Sequence, residues 1–300
     1  MDINKKRGHV EALKFGTRVQ IRNQKGELEF DTHNILTLGG RIKALESVFQ
    51  NGFVAKNHLS LDSNLTTQKG GLSVITNPTI TSCPDTSVAA DYYNRPTTYF
   101  CIGNGGVNVE FPLAMAEPRN YETRLYGMVP FRCVPIANDL SPAERSVYRM
   151  RRLEIINGAS YFTYYLKKFN PGLLNLVKSD NTDYTPVFAD SNAIPPSSSG
   201  SSGSLTALSI HSFYEFNLDI EALEFKEYYK AINNGTLTNA RLTEFGLVTA
   251  KELTGVSDNA TVPQVYDEVC NAELFSKVVH SPTYMDQEEN AKRITYTIFS

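Results

Sequence analysis

Tryptophan is absent from this chain of 300 residues, and cysteine, histidine and charged residues are sparse. The four cysteines, Cys83, Cys101, Cys133 and Cys270, are widely spaced and include no C-x-x-C pair, so no zinc site is predicted. The five histidines form no H-x-x-x-H pair and lie beside no G-x-S-x-G motif. Only two carboxylates meeting across a cleft, as glycoside hydrolysis requires, would support catalysis. We therefore expect a protein that is not an enzyme and has no metal or cofactor.

Long apolar stretches are also missing. No run of about 18 apolar residues occurs, and the basic residues near the N-terminus precede no apolar segment. We therefore expect synthesis in a cytoplasm, without a signal peptide and without a membrane partner. The formal net charge of −3 creates no field that would attract nucleic acid, so nucleic acid is not predicted as a partner.

The chain is instead rich in tyrosine and phenylalanine, with 16 of each, and these residues favour pleated sheets and interfaces. Short stretches of apolar or alternating residues are typical of strands. They lie at 13–21, 28–30, 97–102, 153–156, 161–169, 208–220, 242–248, 274–279 and 294–299. This pattern predicts an all-β fold, a β-sandwich with one or two short helices, formed by residues 1–300 as a single domain.

Local motifs predict several turns and helix ends. Asn157-Gly158 is a strong hairpin signal between two of the strands. Ser141-Pro142-Ala143-Glu144 has the capping-box pattern of a helix start. Gly103-Asn104-Gly105-Gly106 invites a phosphate-loop interpretation, but alternating residues follow it where a helix would be required, so a tight turn is favoured. Residues 221–232 are ambiguous between helix and strand.

We expect residues 31–53 to be the segment around which the fold is organised. They would form a strand, a turn at two glycines and a short amphipathic helix. Ile42, Leu45, Val48 and Phe49 would share one face of that helix. Two long insertions contain few periodic residues: 53–96 is predicted as an arm, and 170–204, with its Ser/Gly/Pro tract, as a flexible loop. Both are expected to become ordered on neighbouring subunits.

Candidate contact residues come from the densest positive cluster and from paired aromatic residues. They are Arg145, Arg149, Arg151, Arg152, Tyr92 and Tyr93. The arginines would meet a carboxylate-bearing partner surface or a nucleic-acid backbone. The alternative, which the pattern favours, is a solvated turn with positive charge near a helix C-terminus.

The order of several motifs along the chain resembles a known class of proteins. His33-Asn34 leads into Gly39-Gly40, Ile102-Gly103-Asn104-Gly105 follows, then Glu244-Phe245-Gly246-Leu247, and finally Leu274-Phe275-Ser276-Lys277-Val278 with a terminal strand. This series resembles structural proteins of tailed-bacteriophage virions, found around the neck, tail and baseplate. The two insertions depart from the pattern and leave the position in the particle open.

The resemblance implies a β-sandwich subunit of a virion, forming part of the neck or collar, tail or baseplate. Its expected partners are copies of itself in a ring and other virion proteins. An alternative is a fibre-associated adhesin that binds cell-surface glycan, since the tyrosines at 92, 93, 99, 121 and 126 would suit stacking on sugars.

Overall fold

Most of the described residues lie in antiparallel β-strands, which confirms the predicted all-β class. The chain is described here from a computed structural model. The described residues are 16–23, 25–33, 35–38, 40–41, 43–44, 74–75, 96–108, 114–178, 210–221, 223–257, 265–285 and 291–299.

Sixteen strands have defined bounds in the described part of the chain. They are β1 (Gly16–Arg22), β2 (Leu28–His33), β3 (Ile35–Leu36), β4 (Val74–Ile75), β5 (Thr97–Gly103), β6 (Val107–Asn108), β7 (Ala114–Met115), β8 (Met128–Val129), β9 (Arg132–Pro135), β10 (Tyr148–Ile156), β11 (Ala159–Lys168), β12 (Asn175–Lys178), β13 (Ile210–Ile220), β14 (Arg241–Ser257), β15 (Val265–Tyr284) and β16 (Lys292–Phe299). Two short helices are α1 (Pro142–Arg145) and α2 (Lys226–Ile232), and a 3-10 turn spans Ile136–Asn138.

The strands form two large sheets and one small one. The five-stranded sheet has the order β12-β13-β16-β1-β2. The nine-stranded sheet has the order β3-β15-β14-β5-β11-β10-β4, with β8 beside β5 and β9 beside β11. Strands β6 and β7 pair separately.

One core cluster contains side chains from both large sheets. Ile294 and Tyr296 on β16 alternate with exposed or half-buried residues and are fully buried, as the sequence pattern predicts. Tyr296 stacks on Phe216 of the same sheet and contacts Phe245 of the other sheet edge to face. Its hydroxyl lies 2.6 Å from the hydroxyl of Ser276 in the nine-stranded sheet. The two sheets therefore pack face to face in a sandwich-like arrangement.

A second buried cluster belongs to the opposite face of the nine-stranded sheet. On β5, Phe100 and Ile102 join the core between the sheets, whereas Tyr99 and Cys101 join this second cluster. Residues with period two lie on opposite faces of a strand. Strand β5 is therefore buried on both faces, which explains why its sequence is an unbroken apolar run.

Several local predictions are confirmed. Asn157 and Gly158 have φ values of 50° and 81° and join β10 to β11, as a two-residue hairpin requires. Ser141 and Glu144 form both hydrogen bonds of a capping box at the start of α1. The ambiguous segment 221–232 contains α2.

Other predictions need correction or lie outside the described residues. Strand β12 occupies part of the predicted 170–204 loop, because β13 provides a neighbouring strand with which it can pair. Strand β4 likewise lies within the predicted 53–96 arm and pairs with β10. The rest of both insertions lies outside the described residues. Near the start of the helix predicted within 31–53, the structure has helical residues at 38, 40, 41, 43 and 44. The other residues of that predicted helix lie outside the described residues.

His280 is a buried ionisable residue between the two sheets. Its ring lies 5.5 Å from the Phe30 ring and 5.8 Å from the Phe245 ring, measured between centroids. Nδ1 lies 2.7 Å from the Ser281 carbonyl oxygen, whereas Nε2 has no hydrogen-bond partner among the described residues. Burial lowers the pKa of His280 to about 4, so the neutral ring is favoured at pH 7.

We predict that His280 makes the fold sensitive to acid. Because its pKa is about 4 when folded and 6.5 when unfolded, the unfolded state binds more protons between these values. Protonation of His280 therefore leaves the free energy of unfolding unchanged above pH 6.5 and lowers it by about 3 kcal/mol as the pH drops to 4. Urea unfolding at several pH values should show this slope, and a folded His280→Gln variant should lack that component. An identical slope in both proteins would contradict the prediction.

Candidate functional site

Sequence motifs that are far apart along the chain meet on β5, β14 and β15. The turn after β5 contains Gly105, β14 contains Glu244, and β15 contains Lys277. Thr37, two residues before the Gly39-Gly40 pair, joins the same region, because its amide donates to the Phe275 carbonyl oxygen at 3.1 Å. The four segments, around Thr37, Gly105, Glu244 and Lys277, all belong to the series of motifs that resembles virion structural proteins. We call Gly105, Tyr126, Gly127, Glu244 and Lys277 the motif junction.

The carboxylate of Glu244 binds three backbone amides at the motif junction. Its Oε1 accepts from the Gly105 and Gly127 amides at 3.2 and 2.5 Å, and its Oε2 accepts from the Tyr126 amide at 2.9 Å. Glu244 is fully buried. Burial raises its pKa, while the backbone hydrogen bonds and the charge of Lys277 act in the opposite direction. Glu244 therefore ties two loops, one after β5 and one before β8, to the centre of the sheet.

Lys277 is the second buried charge at the motif junction. Its ammonium lies 2.9 Å from a Glu122 carboxylate oxygen, 3.1 Å from the Arg124 carbonyl oxygen and 3.2 Å from the centroid of the Tyr126 ring. Only 1% of its side chain is exposed, and burial lowers its pKa. Lys277 and Glu244 thus bind the same loop, residues 116–127, from two neighbouring strands.

Glycine is required at Gly105 in the motif junction, and at Gly40 nearby, because another segment of backbone passes close to each of them. A Cβ atom at Gly105 would overlap the amide nitrogen of Gly127, and one at Gly40 would overlap the carbonyl oxygen of Phe275. A side chain at either position would force the backbone to move. These contacts explain the glycines of the motifs and confirm that Gly103–Gly106 forms a turn between strands rather than opening a helix.

Exposed apolar and aromatic side chains lie in the loop held by the motif junction and at the residue just before it. Met115, Tyr121 and Tyr126 are 51%, 60% and 40% exposed. Arg119 is also exposed and donates a hydrogen bond of 2.7 Å to the Tyr121 hydroxyl. We call Arg119, Tyr121 and Tyr126 the exposed aromatic patch, since Arg119 interacts with both tyrosines. Tyr, Met and Arg are the residue types enriched at protein interfaces.

The four predicted contact arginines are buried, contrary to both interpretations of the sequence, which assumed exposed side chains. Arg145 lies in α1, and Arg149, Arg151 and Arg152 lie on β10, with residue exposures of 8% or less. Their burial is possible because carboxylates, most of them from distant segments, lie beside them. The predicted surface cluster is therefore an internal network of ion pairs.

The acidic partners come mainly from other parts of the chain. Arg149 Nη2 lies 2.6 Å from Glu252 on β14. Arg151 Nη2 lies 2.8 Å from Asp139, which Arg145 approaches at 4.0 Å. The remaining arginine, Arg152, lies 3.8 Å from Glu268 on β15. We call these four arginines with Asp139, Glu252 and Glu268 the buried ion network.

Glu268 has the most unusual environment in this network. Met150 has a φ of 60°, a left-handed conformation that is rare for a residue with a side chain. This conformation directs the Met150 and Arg151 amides toward the Glu268 carboxylate, at 2.5 and 2.9 Å. Successive amides arranged in this way form an anion-binding nest. The side chain of Glu268 therefore fastens β15 to β10, although the two strands are not paired with each other.

The tyrosines considered for contacts are separated by the fold. Tyr92 and Tyr93 lie outside the described residues. Tyr99 is fully buried and cannot stack on a ligand, whereas Tyr121 and Tyr126 are exposed. The sequence interpretation missed the acidic residues Glu244 and Glu268. The one available signal was a charged residue inside an apolar strand pattern, as in Thr243-Glu244-Phe245.

The described ionisable groups hold the fold together and form no cluster suited to a metal ion. No group of three or more His, Cys, Asp or Glu residues in the described ranges is arranged to bind one. Among the same residues, no helix is both long and apolar enough to cross a membrane. Burial raises the pKa of the Cys101 thiol, which disfavours its reactive thiolate form.

Comparison with known proteins yields one match. No curated protein and no solved structure matches the chain. One family model matches residues 83–298, which is more than two thirds of the 300 residues and includes the whole motif junction and the whole buried ion network. The chain therefore belongs to this family, which is described as a family of unknown function, DUF7208.

Proposed function

We propose that the chain is a non-enzymatic structural subunit of a tailed-bacteriophage virion. It would form part of the neck or collar, the tail or the baseplate, through repeated contacts with copies of itself and with other virion proteins. The observation that carries this proposal is the motif junction, where the segments behind the virion resemblance meet and hold one loop in a fixed position.

The chemistry of the motif junction suits a scaffold. Glu244 accepts three backbone hydrogen bonds, and Lys277 is closed in by Glu122, the Arg124 carbonyl and an aromatic ring. A buried charge that is fully engaged by its own chain fixes one arrangement of the backbone. Such residues support a rigid body that presents the same surface in every copy.

The exposed aromatic patch supports a contact role for the held segment. Tyr121 and Tyr126 offer large, rigid surfaces with few rotatable bonds, and Arg119 adds a planar cation beside them. A loop fixed by two buried charges loses little conformational entropy when it binds. The segment is thus suited to repeated protein contacts.

Immunogold labelling of purified phage particles tests the proposed function. An antibody against the chain should label intact particles at one position, the neck, tail or baseplate. Particles from a phage in which the gene carries an early stop codon serve as the matched control and should not be labelled. If the chain is abundant in infected cells but absent from washed particles, the proposal is wrong.

A second candidate function is glycan binding by a fibre-associated adhesin, which the exposure of Tyr121 and Tyr126 favours. An exposed aromatic ring presents an apolar face on which a sugar ring can stack. A glycan array with the purified protein should then show a defined sugar preference that Tyr121→Ala abolishes. Tyr214→Ala, at another exposed tyrosine, on β13, is the matched control. Absence of any sugar preference would leave the scaffold proposal as the better one.

A further inference from the structure

A buried lysine lies against a buried glutamate at a place that belongs neither to the motif junction nor to the buried ion network. Lys167 on β11 holds its Nζ 2.6 Å from Oε1 of Glu224, which lies between β13 and α2. The side chain of Glu224 is 1% exposed and that of Lys167 is 10% exposed. The same Nζ donates to the Asp219 carbonyl oxygen at 2.8 Å. An amine and a carboxyl group are thus held in contact where little water can reach them.

Both oxygens of the Glu224 carboxyl group accept hydrogen bonds. The Tyr148 hydroxyl donates to Oε1, and the Glu221 amide donates to Oε2 at 2.8 Å. Burial raises the pKa of Tyr148, so its hydroxyl keeps the proton that it donates. Donors on both oxygens stabilise the negative charge that develops on them when a nucleophile attacks the carboxyl carbon.

The backbone around Glu224 fixes the direction of its side chain. The Glu224 amide donates to the Glu221 carbonyl oxygen at 3.1 Å, so the two glutamates hold each other through two hydrogen bonds. Phe225 follows with a φ of 59°, a left-handed conformation that is rare for a bulky residue. Its amide donates to the Phe131 carbonyl oxygen. A conformation of this kind persists only where the surrounding structure holds it.

The protonation states at this site favour a reaction between the two side chains. Burial raises the pKa of Glu224, although the charge of Lys167 acts in the opposite direction, and the raised pKa favours the neutral acid. A second carboxylate, that of Glu221, lies 3.7 Å from the Lys167 Nζ, and its side chain is 72% exposed. Glu221 can therefore accept a proton from the lysine. The site combines a nucleophile, a carboxylic acid and a proton acceptor.

We propose that Lys167 and Glu224 condense to form an amide bond between their side chains after the chain has folded. A proton first passes from the ammonium to the carboxylate, which leaves an amine and a carboxylic acid. The nitrogen lone pair then attacks the carboxyl carbon and forms the C–N bond. A second nitrogen proton passes through the Glu221 carboxylate to Oε1, and the C–O bond to Oε1 breaks.

The products are one amide, which keeps one N–H, and one water molecule. Oxidation states do not change, so the reaction consumes no oxidant, reductant or cofactor. Tyr148 assists the departure of Oε1, and the Glu221 amide stabilises the charge on Oε2. Fixed contact between the two groups replaces the loss of freedom that two separate reactants would incur.

The bond would join β11 of the nine-stranded sheet to the segment that leaves β13 of the five-stranded sheet. It would also replace two buried charges with one neutral amide, which removes the desolvation cost of those charges. The inference goes beyond the proposed function and does not rest on it. Particle labelling and the measurement below can therefore fail independently.

Mass spectrometry of the denatured wild-type chain tests the proposal. The intact mass should fall below the mass of the sequence by one water molecule. Trypsin cannot cleave after an acylated lysine, so the digest should contain a branched peptide made of residues 153–168 and 179–226. Fragmentation of this peptide should place the branch at Lys167 and Glu224.

Variants of the reacting and assisting residues make the test specific. Lys167→Arg keeps the positive charge but removes the nucleophilic amine, so this variant should have the full sequence mass. Tyr148→Phe should slow the loss of water by about tenfold or more, measured at intervals after cell-free synthesis. Lys292→Arg is the matched control, because Lys292 also lies 2.6 Å from a carboxylate, that of Glu29, whose side chain is 32% exposed. This control should lose water at the wild-type rate.

Three outcomes would overturn the inference. The first is a folded wild-type chain that keeps its full sequence mass after prolonged incubation, since the pair would then be only an ion pair. The second is a loss of water that persists in Lys167→Arg, as cyclisation of an aspartate would produce. The third is a branch that maps to another lysine. Peptide mapping of the wild type decides the matter even if Lys167→Arg fails to fold.

Discussion

Replacing Glu268 with glutamine is expected to lower the free energy of unfolding by about 3–5 kcal/mol. The carboxylate accepts the Met150, Arg151 and Val269 amides and lies 3.8 Å from Arg152, with no exposed surface. A glutamine would keep one acceptor oxygen but direct an NH2 group at backbone donors. It would also leave Arg152 buried with less compensating negative charge, and the nest at Met150 would lose the anion that favours it.

Urea denaturation of the two proteins at pH 7 measures this difference. Glu215→Gln is the matched control, because Glu215 is an exposed residue on β13 and should change the free energy of unfolding by less than about 0.5 kcal/mol. A loss below about 1 kcal/mol for Glu268→Gln would show that the nest does not depend on the charge.

Replacing Glu244 with alanine is expected to lower the free energy of unfolding by a similar amount. The change should also loosen the loop at 116–127, which is its local consequence. Three backbone amides, those of Gly105, Tyr126 and Gly127, would lose their acceptor inside the protein. Each unsatisfied buried donor costs about 1–3 kcal/mol, and partial relaxation should leave a total loss of about 3–5 kcal/mol. Lys277 would also lose a neighbouring negative charge.

The local consequence of Glu244→Ala can be measured by limited proteolysis. Loosening of the loop at 116–127 should make trypsin cleave after Arg119 or Arg124 faster than in the wild type. Glu117→Ala is the matched control, since Glu117 is an exposed carboxylate on the same loop. Equal cleavage rates for wild type and Glu244→Ala would mean that the motif junction does not hold the loop.

Features that depend on neighbouring residues could be predicted from the sequence. The strand pattern, the Asn157-Gly158 turn and the capping box at Ser141 each require only a few adjacent residues. Strand β12 was missed because its four residues lie in a stretch rich in turn-forming residues and gain their hydrogen bonds only from β13. The functional assignment to a virion stays a prediction that the proposed experiments test.

The burial of charged residues depends on distant partners and could not be predicted. Arg149, Arg151 and Arg152 read as a surface cluster because a charged run is usually solvated. Glu252 lies 103 residues from Arg149, and Glu268 lies 118 residues from Met150. Nothing in the spacing of either segment indicates that these carboxylates would reach β10.

The sequence by itself determined the β-strands, the tight turns and the absence of long apolar runs, because side-chain periodicity and turn chemistry are local properties. Only the tertiary structure decided which charges are buried and which aromatic rings are exposed. Placing Glu244 and Glu268 opposite backbone amides requires strands from remote parts of the chain to be aligned in register. The physical reason is that a charge can be buried only where partners compensate its desolvation, and here those partners come together only when the sheets form.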